Sequence, residues 1–146
     1  MALSAVDATD RVEQLVTLTE TLTARLTAEA AAFEARRPLD AVGDLDETAK
    51  LANLYRHECT RVKANPDMIA GAPREARDRL AHVTRAFELV VSRHARGLEA
   101  ARTLTEGLVQ TLAQEIAAAR APAAGYGATG GATAGDTTAV TLNRQA

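Results

Sequence analysis

Tryptophan is missing from this chain of 146 residues, and its other aromatics amount to two Phe and two Tyr. Without large rings to fill wide spaces, a core has to be built from narrow aliphatic seams, an arrangement that suits helices lying side by side. Cysteine is nearly absent as well. The single Cys59 cannot form an internal disulfide, and its place in an apolar period reads as a small core side chain rather than a reactive thiol. An excess of one charge is also lacking. A net charge of −2 supplies no bulk attraction for nucleic acid or for an anionic membrane surface. No run approaches the roughly 18 apolar residues of a membrane span. The start "MALSAVDATD" lacks the basic segment and apolar stretch of a secretory signal. The expectation is a cytoplasmic protein with no nucleic-acid partner and no stable membrane insertion.

The groups that carry catalysis are scattered. His57, His82 and His94 lie far apart and none sits at metal-ligand spacing from another His or Cys, so no metal site is expected. Ser92 and His94 are two positions apart on one helix and face different directions. The segment "GYGATGGATAG" superficially resembles a phosphate loop, but it follows a helix rather than a strand, precedes no helix and lacks a Lys to reach a phosphate. The Arg-rich "REARDRLAHVTR" contains Glu75 and Asp78 and reads as a solvated helix face. The expectation is a protein that is not an enzyme and takes no cofactor.

What is present is helical periodicity. Val12, Leu15, Leu18, Leu22, Leu26, Ala30 and Phe33 mark a first helix over about residues 6–36, with Asp7, Thr9 or Asp10 as cap and Pro38 ending it. After "PLDAVGD", Asp44 and Glu47 have capping-box spacing, and a second helix over about 45–63 carries Leu45, Thr48, Ala52, Tyr55, Cys59 and Val62 at alternating steps of three and four. Pro66, Gly71 and Pro73 interrupt the pattern in "ANPDMIAGAP". A third helix over about 74–120, free of proline, would then run roughly 70 Å. These elements predict an all-α fold: an antiparallel helical bundle or coiled coil of three helices, with a very long third helix, as a domain over 1–120. Residues 121–146, dominated by Gly, Ala and Thr, predict a flexible, disordered C-terminal tail.

The third helix changes partway. Leu80, Val83, Phe87 and Val90 keep one seam, but the same register reaches His94 and Gly97, which reads as a break. A new stripe follows in Leu98, Ala101, Leu104, Leu108, Leu112 and Ile116. The first two helices, at roughly 47 and 28 Å, cannot cover the third, which should outrun them after about Val91. Leaving the large aliphatics of that stripe wet forgoes roughly 1.5 to 3 kcal/mol each, so a partner for the face is expected.

The outline, together with "LDETAKLANLY" (Lys50, Leu51 and Tyr55), "LEAARTLTEGLVQTLAQEIA" and the "YG" beyond them, resembles flagellar export chaperones of the FlgN type from about Val12 to Gly127. The resemblance looks closest to alphaproteobacterial members. Where many members have an Asn-rich stretch, this chain has His94, Ala95, Arg96 and Gly97. The resemblance implies a cytoplasmic chaperone that binds hook-filament junction proteins, keeps them unpolymerised and delivers them to the export gate platform of the flagellar type III system. Carried onto this sequence, it implies a client-binding face of Leu98, Leu104, Leu108, Leu112 and Ile116, with Tyr126 as the residue that docks on the gate. The alternative is a self-associating structural or adaptor coiled coil whose stripe pairs with a second copy in a homodimer.

Overall fold

A computed structural model of the chain describes residues 2–121. Among these residues five helices follow one another: α1 (Ala8–Glu34), α2 (Leu39–Val42), α3 (Leu45–Ala64), α4 (Asp67–Ala70) and α5 (Arg74–Arg120). No strand occurs among the described residues. The chain divides into two units, Met1–Gln110 and Thr111–Ala146. The packing described below lies within the first. The two connections between the long helices hold one helical turn each, α2 and α4, which apolar periodicity is too short to reveal.

Helix α1 starts where the Asp7 side chain accepts the Asp10 N–H at 2.8 Å, and Asp10 in turn accepts the Val6 N–H at 2.9 Å. Its threonines are poor helix formers on paper, but Thr17, Thr19, Thr21, Thr23 and Thr27 each donate to the carbonyl one turn back. The helix ends before Pro38. The Arg37 N–H donates to the Ala32 carbonyl and the Arg36 N–H to the Phe33 carbonyl, while Arg36 takes the left-handed region at φ 58°. Glycine is the usual residue there; arginine bears the steric cost of its Cβ.

At the start of α3 the expected capping box is not made. Asp44 sits at the cap position with ψ 0° and no side-chain cap hydrogen bond. Capping geometry needs an extended backbone at that residue, and the turn of α2 leads too directly into α3 to supply it.

Helix α1 supplies most of the buried surface, through Val12, Leu15, Val16, Leu18, Thr19, Leu22, Glu29 and Ala30, whereas α3 buries only Thr48 and Glu58. The pairings fix the directions. Arg11 meets Glu58 at 3.0 Å and Glu29 meets Thr48 at 2.7 Å, so α3 runs antiparallel to α1. Arg79 meets Glu13 and Glu20, and Arg93 meets Glu34, so α5 runs alongside α1 in the same direction. Tyr55 of α3 packs on Phe87 of α5 with ring centroids 4.9 Å apart. Ala72, buried against Val12 and Val16, sets the start of α5 beside the first turns of α1.

A buried ionic knot ties the base of this unit together. Glu58, with no solvent exposure, accepts the Leu3 N–H and the Arg61 guanidinium at 3.0 Å each, besides that of Arg11. Burial pushes its carboxyl up, but the Leu3 N–H and the Arg61 and Arg11 charges together outweigh that and hold it below the ordinary value. The sequence holds a signal for this residue: Glu58 stands one turn beyond Leu54 and two beyond Leu51, an acid in an apolar line.

Candidate docking face on helix α5

Along α5 the half-buried side chains are Ala76, Leu80, Val83, Thr84, Phe87, Val90, Arg93 and His94, ending at the buried Gly97. Their steps of three and four do not break at His94. The His94 ring points into the seam, where its Nε2 lies 2.8 Å from the Glu29 carboxylate and its ring meets the edge of Phe33 at 5.5 Å. Glu29 is buried and also accepts the Thr48 hydroxyl, so the three residues satisfy one another. Gly97 continues the seam because α1 comes close: a Cβ on it would lie 3.3 Å from Phe33 Cβ. What the sequence presents as a change of register is a polar residue and a small one on an unbroken seam.

Below this crossing, Tyr55, Cys59 and Thr84 form a small polar group between α3 and α5. Burial pushes the Tyr55 phenol well above its usual range, with Cys59 adding to the effect and Thr84 opposing it. Cys59 is half-buried there. His57 and His82 are exposed, and among the described residues no three His, Cys, Asp or Glu side chains gather to hold a metal.

After Gly97 the helix runs beyond the end of α1. Among the described residues beyond it, only Ala101 is partly covered. The cover therefore lasts more than a turn past Val91, because α5 starts level with the first turns of α1 and keeps pace with it to Phe33. Within the first unit, Leu98, Leu104 and Leu108 are 50%, 55% and 60% exposed. The bare surface includes Val109, which is equally exposed and lies three turns on from Leu98. Reading the stripe in alternating steps of three and four passes over it; reading it in steps of eleven would have found it. Leu112 and Ile116, also half exposed, stand on the part of α5 that belongs to the second unit. Tyr126 lies outside the described residues.

Over 112 residues the chain is 51% identical to the flagellar basal-body protein FlbY of Caulobacter vibrioides, a match covering 77% of this chain and 75% of that one. The chain belongs to the FlbY family. The family is a flagellar one, as the resemblance carried by "LDETAKLANLY" and the third helix implies. No protein-family model matches the chain, and no solved structure matches it. Among the described residues no helix is long and apolar enough to cross a membrane.

Proposed function

We propose that this chain serves flagellum assembly as a cytoplasmic export chaperone without catalytic activity. It holds an apolar helical segment of a hook-filament junction protein on α5 until that client reaches the export gate. One observation carries the reading: α5 continues past Gly97 with Leu98, Leu104 and Leu108 each about half exposed and, among the described residues, no neighbouring helix laid over them. An amphipathic helix laid on such a face is a common mode of recognition. Membership of the FlbY family supports the flagellar part of the proposal. In this reading α1, α3 and α5 act as an antiparallel three-helix scaffold that displays the face. Leu112 and Ile116 contribute to client binding, and Tyr126 docks on the gate platform.

Completing the burial of three half-exposed leucines contributes on the order of 3 kcal/mol before the costs of association. That suits a client that has to be released. The test is capture of purified junction subunits of the same bacterium by the full chain, by Leu108→Glu and by Tyr126→Ala. Capture by the wild type and by Tyr126→Ala, lost in Leu108→Glu, is the expected result; equal capture by all three removes the face from client binding.

The continuing seam spacing of Ala101, Leu104 and Leu108 also favours a second reading, a self-associating coiled coil. Sedimentation decides between them. A dimer that excess junction subunit leaves intact would give the face to a second copy.

A further inference from the structure

Where α1 stops, a notch of about 290 Å³ opens between its last turn and α5. Phe33, Ala101 and Leu104 give it an apolar floor, and Arg36, Arg93 and Arg96 stand around it. Among the described residues, only one of the three guanidiniums makes an ion pair. Arg93 makes a two-pronged pair with Glu34 at 2.7 and 2.6 Å. That bond, with the Arg96 charge adding to it, holds the Glu34 carboxyl below its ordinary value. Arg36 and Arg96 make no ion pair among the described residues, so three cations face one carboxylate.

The notch also fixes where a docked helix can end. Phe33 fills the seam opposite Gly97, while Ala101, Leu104 and Leu108, the next seam positions, lie open. A helix lying on those three positions abuts the end of α1, and its terminal turn falls beside Arg36 and Arg96. Arg36 is pinned there by the left-handed turn that closes α1. Its guanidinium is thereby carried on an ordered backbone.

We infer that the notch is an end-stop that selects acidic clients: it takes an Asp or Glu side chain from the terminal turn of the partner's amphipathic helix, paired with Arg36 and Arg96. The inference rests on the docking face proposed above and adds the chemistry by which the partner's register is set. Leucines alone allow a helix to slide by a turn; a carboxylate at one end does not. Guanidinium and carboxylate suit each other in geometry as well as charge.

The test uses the full chain and two labelled model peptides with the same leucine face, one bearing Glu in both end turns and the other Gln. Fluorescence anisotropy should show the Glu peptide binding about fivefold more tightly at low salt, the size expected of two exposed ion pairs. The preference should fade at about 0.5 M salt and vanish in Arg36→Gly/Arg96→Ala, while Gln-peptide affinity stays unchanged. Leu104→Glu should abolish binding of both. Equal binding of the two peptides, lost in Leu104→Glu, overturns the end-stop and leaves the docking face standing. Binding of neither peptide overturns both, as does a dimer that Leu104→Glu dissolves.

Discussion

The two stretches of α5 on either side of Gly97 carry the same pattern and meet opposite fates. Leu80, Val83, Phe87 and Val90 are half-buried against α1 and α3; Leu104 and Leu108, on the same spacing, are exposed. Nothing in the side chains themselves accounts for the difference. It comes from the length of α1, which ends at Glu34 opposite Arg93. An apolar period shows which face needs cover, and the neighbouring chain decides whether it has any.

The largest effect should come from applying one change to both stretches of the unit. Glu58 of α3 is buried in the packed part of the unit, where Arg11 of α1 meets it at 3.0 Å, and Glu106 is on the bare stretch of α5, where its pair with Arg102 at 2.9 Å leaves both side chains mostly exposed. Glu58→Gln removes the charge that Arg11 and Arg61 face and should lower unfolding stability in urea by about 3 kcal/mol. Glu106→Gln should leave the urea midpoint where it is. Acid titration checks the same contrast. Because the folded Glu58 carboxyl titrates below its ordinary 4.5, its contribution is complete above about that pH and is lost as the pH falls through the lower folded value. Glu58→Gln should flatten that part of the stability profile.

A smaller pair of changes puts the same charge on the two parts of the stripe. Val83 packs against the cluster of Val12, Val16 and Ala72, and Val83→Glu should cost about 2 to 3 kcal/mol in the same urea experiment. Leu108→Glu should change stability by less than about 0.5 kcal/mol while removing client capture. A large loss of stability in Leu108→Glu would mean that the bare stretch is covered within the free protein, and the comparison would fail.

The sequence makes the three long helices legible because each has several turns of apolar spacing, and it makes the bare stripe legible because length arithmetic needs only helix boundaries. Three things escape that reading. The turns of α2 and α4 are too short to show a period. The partnership of His94 with Glu29 joins residues 65 positions apart, and polar residues leave no trace in a pattern that counts only apolar ones. The notch at Arg36 depends on the left-handed turn that ends α1, and an arginine gives no hint of it where a glycine would. In each case long-range geometry decides what a local pattern cannot carry.

The smallest effects, and the sharpest division, should come from the two glycines of the helix. A Cβ at Gly97 would meet Phe33 Cβ at 3.3 Å and the Ala30 carbonyl at 3.8 Å, whereas one at Gly107 would meet no atom of the described residues within 4 Å. Alanine favours a helix over glycine by about 1 kcal/mol, so at Gly107 the gain should appear undiminished. The measure is hydrogen exchange of the surrounding amides, which reads local opening and which Gly107→Ala should slow about fivefold. At Gly97 the same gain is set against a crowded contact, so Gly97→Ala should be close to neutral. Gly97→Val, with two further carbons directed at Phe33, should cost about 1 to 2 kcal/mol in urea. If Gly97→Val were tolerated as readily as Gly107→Ala, α1 and α5 would have room to separate at Phe33. The boundary between covered and bare helix would then lie nearer the core than Gly97.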